Sequence, residues 1–190
     1  MAEEHVVTHG FGPVFDSRSR ILILGSFPSV KSREQSFYYG HPQNRFWRVL
    51  AILAEQDEEA QLRFGESLTK ADTETKKRFL ADRGIALYDV IEQCRIIGSS
   101  DASIRDVVPA DLSPILETAD VGGRIYTNGA KAHDLYMRHI YPVTGIAAVK
   151  LPSTSPANAA WPLKRLAAEW KKQIGPLTEL TEKMPQTAAE

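Results

Sequence analysis

Cysteine is nearly missing from this chain: Cys94 stands alone among 190 residues. One thiol excludes an intramolecular disulfide, and it cannot supply the ligands of an iron–sulfur cluster or a thiolate zinc site. His133 and His139 do not rescue a metal centre, because six positions on a helix turn through about 600° and leave the two imidazoles facing apart; they read as surface or capping groups. The expected cofactor and metal complement is therefore none. Long apolar runs are also lacking, as is a charged-then-apolar leader with a small-residue cleavage site. A cytoplasmic protein with no membrane partner is the expectation. Neither G-x-x-x-x-G-K-[ST] nor G-x-G-x-x-G opening a helix occurs, which leaves nucleotide hydrolysis and dinucleotide binding with a weak basis. G-x-S-x-G is absent as well. Finally, there is no excess of one charge: a formal net charge of −1 excludes a strongly basic coat for non-specific nucleic-acid binding, while permitting a local basic face.

What is present is 43% apolar and 25% charged residues, enough for one core. A single domain is expected over 1–175, followed by a frayed polar tail over 176–190. Short β-rich runs at 20–24, 85–90, 124–127 and 146–150 alternate with helical stretches at 44–54, 69–82, 110–118, 130–140 and 159–173. Asn44 is placed to cap the first helix, and Pro162 falls in the first turn of the last. This alternation predicts an α/β fold, a three-layer sandwich around a central four-stranded, mainly parallel sheet with right-handed crossovers.

The first strand runs into ILILGSFPSVKSREQSFYYGHPQNRFW, 21–47, and the last into LPSTSPANA, 151–159. Open parallel sheets bind ligands at the C-terminal ends of their strands, so Gly25, Ser26, Phe27, Ser29, Tyr39, His41 and Asn44 share one address with Ser153 and Ser155. Hydroxyls, amides and aromatic rings suit an uncharged planar heterocycle beside phosphates better than they suit acid hydrolysis of an ester or peptide. Ser26 with His41 is a conceivable nucleophile and base, but spacing identifies no third member. Phe46, Trp47 and Trp170 read as core, Cys94 as a small buried residue, and Asn128–Gly129 as a helix start.

GSFPS at 25–29, YGHPQNRFW at 39–47 and LPSTSPANA, in that order, resemble the uracil-DNA glycosylase superfamily, nearest to its hypoxanthine-DNA (deoxyinosine) and mismatch-specific uracil branches. The similarity extends over roughly 20–170. It implies a uracil-DNA glycosylase-like domain that flips a deaminated base out of double-stranded DNA and hydrolyses its bond to deoxyribose; a monomer is the expectation. By the resemblance Tyr39 stacks on the flipped base, and Asn44 either positions the attacking water or stabilises the leaving base; helix capping is its structural alternative. The mismatch-specific branch carries a water-activating asparagine where this chain has Ser26, so the pattern is closer to the deoxyinosine branch. Hypoxanthine is then the favoured base and uracil the second.

Catalysis is assigned to Asn44 and Ser26, and base binding to Gly25, Phe27, Tyr39 and Asp89. Asp89 ends the second strand either as a reader of a base N–H or as a turn cap. DNA binding is assigned to Ser29, Lys31, Ser153 and Ser155, and the resemblance implies that Pro156, Ala157 and Asn158 act as a minor-groove wedge. Arg33, Arg45, Lys150, Lys164 and Arg165 flank the loops and add possible phosphate attraction. Without an evident Schiff-base lysine, the expected enzyme is monofunctional. Two other readings remain open: a non-catalytic nucleic-acid or nucleobase binder on the same fold, and a small-molecule hydrolase using Ser26.

Overall fold

A computed structural model describes residues 5–177. At its centre lie four parallel strands, β2 (Ile21–Gly25), β3 (Ile85–Asp89), β6 (Ile125–Asn128) and β7 (Val149–Leu151), in the order β3-β2-β6-β7. Every residue of β2 and β3 is buried, which is why both read as unbroken apolar runs and not as alternating ones. The expected α/β architecture with a four-stranded parallel sheet is the one observed. Because the chain leaves β2 for β3 on one side and returns to β6 on the other, the switch point falls between the C-terminal ends of β2 and β6, where a crevice opens.

A second, antiparallel sheet was not foreseen. It is built from β1 (His5–Thr8), β4 (Ile91–Ile96) and β5 (Arg105–Pro109), in the order β1-β4-β5. Its strands escaped the sequence reading because β5 is mostly exposed and β4 mixes buried with polar positions. β4 follows β3 after Val90 alone, so this sheet and the turn between β4 and β5 are delivered to the edge of the main one.

The helices are α1 (Val30–Gln35), α2 (Phe46–Ala54), α3 (Glu58–Lys70), α4 (Thr73–Asp82), α5 (Ser113–Thr118), α6 (Ala130–His139), α7 (Tyr141–Thr144) and α8 (Leu163–Ile174). The helix expected over 69–82 is broken: α3 closes at Lys70, and the Asp72 carboxylate accepts from Thr75 N–H at 2.7 Å to start α4 afresh. Aspartate favours that N-cap role over a helix interior. Likewise α8 begins after Pro162, which precedes the helix and does not lie in its first turn. The expected frayed tail is corrected at its near end, since Leu177 is fully buried and its N–H bonds Leu53 O at 3.1 Å; 178–190 lie outside the described residues.

The core aromatics fall where expected. Phe46, Trp47 and Trp170 are fully buried, with Phe46 meeting Trp47 edge-on at 5.0 Å and Trp170 at 6.0 Å. α2 and α8 are thereby locked together behind the site, and Trp170 Nε1 also holds Pro152 O at 2.9 Å. Trp170→Ala is expected to cost about 3–5 kcal/mol through the cavity it leaves, measurable as a lowered urea midpoint at unchanged slope. A loss under 1 kcal/mol would contradict this packing.

Candidate active site

A cleft of about 390 Å³ opens at the switch point. Its walls bring together Gly25, Ser26, Phe27, Ser29, Lys31, Tyr39, His41, Asn44, Asp89, Ser153, Ser155 and Pro156. Ala157 and Asn158 do not line it. Ala157 is exposed beside Pro156 at the loop tip, while Asn158 Nδ2 donates to Ser153 O at 3.0 Å and braces the loop from within.

The floor is set by Gly25, whose strand partner is Asp89. A Cβ on Gly25 would stand 2.2 Å from Asp89 Oδ1 and 3.0 Å from the Tyr39 hydroxyl. Glycine is required here so that the carboxylate can lie across the strand end. No backbone N–H is capped by Asp89 among the described residues; its Oδ2 instead meets His9 Nε2 at 2.9 Å. His9, just beyond β1, is itself buried among Phe11, Phe27, Tyr38 and Tyr88. His9 Nδ1 is buried with no protein partner among the described residues. An 80-residue separation between partners hid this pair from the sequence reading.

Tyr39 adopts a left-handed backbone, φ +54°, uncommon outside glycine and frequent at functional sites. Its ring stacks on Phe46 at 3.8 Å and 18°, so one face is already covered. Burial, reinforced by the Asp89 charge, keeps its phenol protonated well above the ordinary range.

Asn44 lies just before α2, two residues ahead of the first helical residue. Its Oδ1 accepts from Phe46 N–H and from Thr154 Oγ1, both at 2.9 Å. A backbone N–H can only donate, so the orientation of the amide is fixed. Oδ1 is saturated by the helix entrance and the serine-rich loop, and Nδ2 carries no protein hydrogen bond among the described residues. Capping and a role in the cleft thus use opposite ends of one carboxamide.

The helix start expected at Asn128–Gly129 is present, with Gly129 as the N-cap of α6, but the Asn128 side chain does more than precede a helix. Its Nδ2 donates to the Tyr39 hydroxyl at 3.1 Å and Thr154 Oγ1 at 2.9 Å, and its Oδ1 accepts from Thr154 N–H at 2.9 Å. It ties the first loop to the last. Gly129 follows with φ +101°, and a Cβ there would meet that of Ser153 at 2.9 Å.

Most of the flanking cations are occupied. Arg45 is a clamp and not a free phosphate ligand: its guanidinium donates to Thr154 O at 3.3 Å, Ser155 O at 2.7 Å, Asn158 O at 3.1 Å and also Trp161 O. Arg33 holds Pro28 O at 2.7 Å, and Lys31 and Lys164 pair with Glu34 and Glu58. Arg165 lies 4.1 Å over the Trp161 ring. Unpaired carbonyls cost about 1–3 kcal/mol each when buried, so Arg45→Met is expected to speed amide exchange across 155–161 at least about tenfold. Unchanged exchange would show that the loop holds itself.

Ser26 Oγ donates to Asp101 at 3.1 Å. His41 Nδ1 instead accepts from Gln43 N–H at 3.2 Å and braces the turn, so a Ser26–His41 couple is not formed. Ser29 caps α1 by accepting from Ser32 N–H. Ser153 and Ser155 Oγ accept from Ser155 and Ala157 N–H at 3.1 and 3.2 Å, and their own protons remain to be donated. Cys94 is buried, and desolvation pushes its thiol up, away from thiolate chemistry. No metal-binding cluster of His, Cys, Asp and Glu occurs among the described residues, nor is any described helix long and apolar enough to cross a membrane.

A family model for the uracil DNA glycosylase superfamily matches residues 12–173. A hypoxanthine DNA glycosylase of Methanosarcina acetivorans is 32% identical over 166 residues, 87% of this chain and 97% of that protein. One from Methanosarcina barkeri is 32% identical over 123 residues, 65% of this chain and 72% of the relative. The solution NMR structure of a Methanosarcina acetivorans protein described as a uracil DNA glycosylase superposes with a TM-score of 0.71 at 32% identity, covering 91% of this chain and 99% of that one.

Proposed function

The chain belongs to the uracil-DNA glycosylase superfamily, and from that premise we propose that it hydrolyses the N-glycosidic bond of a deaminated base flipped out of duplex DNA, hypoxanthine before uracil, leaving an abasic site. The observation that carries the reading is the Asn44 carboxamide, whose oxygen is held by Phe46 N–H and Thr154 Oγ1 while its Nδ2 is left for a ligand in the cleft.

Departure of the base leaves negative charge on the heterocycle and an oxocarbenium-like sugar. A preorganised N–H donor at the base stabilises that change without reorganising. Asn44 Nδ2 is that donor. Asp89, fixed by His9, supplies an acceptor for a ring N–H. Hypoxanthine carries such a hydrogen at N1 where adenine has a lone pair, so the carboxylate favours the deaminated purine and repels its parent. Uracil also offers a ring N–H, which supports it as the second substrate. Tyr39 offers the flipped ring one aromatic surface, its other face being stacked on Phe46.

The exposed tip at Pro156 and Ala157, on a loop stiffened by Arg45 and Asn158, is suited to filling the space the base vacates. Unstacking costs a few kcal/mol, least at a mismatch, so lesions are selected at this step as well. Ser29, Ser153 and Ser155 border the same opening with hydroxyls for backbone phosphates. Lys31 is the one lysine lining the cleft among the described residues, and it is paired with Glu34 at 2.8 Å. That supports a monofunctional enzyme using water.

Duplexes carrying inosine, uracil, xanthine or only normal bases, incubated with the protein and then treated with alkali, test the reading. Strand breaks are expected at inosine first and uracil second, with none at adenine. Tight binding without breaks would leave a nucleobase-binding domain in its place.

A further inference from the structure

Stabilising the base serves one half of the reaction; the attacking water needs an acceptor for its proton. Asn44 cannot provide it, since its only acceptor atom is occupied by Phe46 N–H and Thr154 Oγ1. Among the described residues two carboxylates line the cleft, Asp89 and Asp101. Asp89 has Oδ2 on His9, and its other oxygen is the acceptor assigned above to the ring N–H of the base. Asp101 comes from the turn between β4 and β5, and Ser26 Oγ donates to its Oδ1 at 3.1 Å. Asp101 Oδ2 has no protein partner among the described residues.

The turn is seated independently of that bond, by Val30 N–H on Ser99 Oγ at 2.9 Å and by the Arg33 guanidinium near Gly98 O at 3.4 Å.

Resting on the base-release reading above, we propose that Asp101 is the general base that holds and deprotonates the attacking water, with Ser26 as its positioning residue. The water oxygen bonds to C1′ of the deoxyribose as the C1′–N9 electron pair leaves with hypoxanthine, and the water proton passes to the Asp101 carboxylate. The base anion takes a proton from solvent, and Asp101 returns its own to solvent, so the products are hypoxanthine and an abasic hemiacetal. The groups facing Asp101 are Ser26 after β2, Lys131 on α6, Asp89 on β3, Tyr39 before α2 and Cys94 on β4. Asp101 is exposed as a residue, but its carboxyl is crowded by protein. Desolvation raises its proton affinity, Ser26 and Lys131 oppose that, and Asp89 adds to it. A raised carboxyl pKa brings a base closer to working pH.

The test is single-turnover base release from an inosine duplex against pH, alongside binding of a 2′-fluoro-deoxyinosine duplex that resists cleavage. Wild type is expected to lose activity as pH falls through the Asp101 pKa. Asp101→Asn should drop the plateau rate at least about a hundredfold, within the range for a general base, and lose that acidic limb while binding within a few fold. Ser26→Ala removes the hydrogen bond that favours the carboxylate, so its limb should move to higher pH. Should Asp101→Asn fail to fold, the shifted limb in Ser26→Ala decides the matter. Asp101→Asn with wild-type rate and limb, or Ser26→Ala with an unmoved limb, overturns the proposal but leaves base release standing. A wild-type protein inactive on inosine overturns both.

Discussion

Asn44→Ala is expected to lower single-turnover release of hypoxanthine at least about a hundredfold while changing duplex affinity only a few fold, the scale for losing one preorganised donor to a developing anion. The expectation follows from the division of labour within one side chain. Oδ1 joins the start of α2 to the serine-rich loop through Phe46 and Thr154, and Nδ2, without a protein partner among the described residues, is the donor the proposal assigns to the base. Truncation removes both functions, so Asn44→Asp is the sharper companion. Aspartate keeps the acceptor for Phe46 N–H and Thr154 Oγ1 and loses the donor. Loss of turnover in both variants, with the loop intact in the aspartate form, assigns the effect to Nδ2. Recovery of turnover in Asn44→Asp would assign it to loop placement.

Asp89→Asn is expected to invert the reading of the base. The new amide would direct its oxygen to His9 Nε2 and leave an N–H where a carboxylate oxygen lay above Gly25. A donor opposite the N1–H of hypoxanthine leaves both groups unpaired in a desolvated site, and sites built on hydrogen bonds discriminate by several powers of ten. Hypoxanthine release should fall about a hundredfold or more, and the inosine-to-adenine ratio of binding should narrow sharply. Release measured with inosine and adenine in the same duplex context checks this. An unchanged ratio would remove Asp89 as the reader and leave it a partner of His9 alone.

The central sheet was legible because β2 and β3 are buried along their whole length and its first three strands end in Gly25, Asp89 and Asn128, and the two loops carrying Asn44 and Thr154 follow strand ends of that sheet. What lies beyond it follows from non-local pairing. β1 meets β4 across most of a hundred residues, His9 meets Asp89 and Ser26 meets Asp101 across 80 and 75, and no spacing rule spans such distances. Asn128 was visible but underrated, since a residue before a helix looks the same whether its side chain caps the backbone or bridges two loops. Arg45 misled for a related reason: beside a nucleic-acid site, charge suggests phosphate, whereas four loop carbonyls were its actual partners.

The claim that an uncharged amide stabilises the departing heterocycle is tested most directly by a structure of the protein bound to a duplex containing 2′-fluoro-deoxyinosine. The base should be extruded into the cleft between Gly25 and Thr154, with Asn44 Nδ2 within about 3.2 Å of an acceptor on its ring. An inosine still stacked in the helix, or one in the cleft with Asn44 turned away from it, would contradict the account.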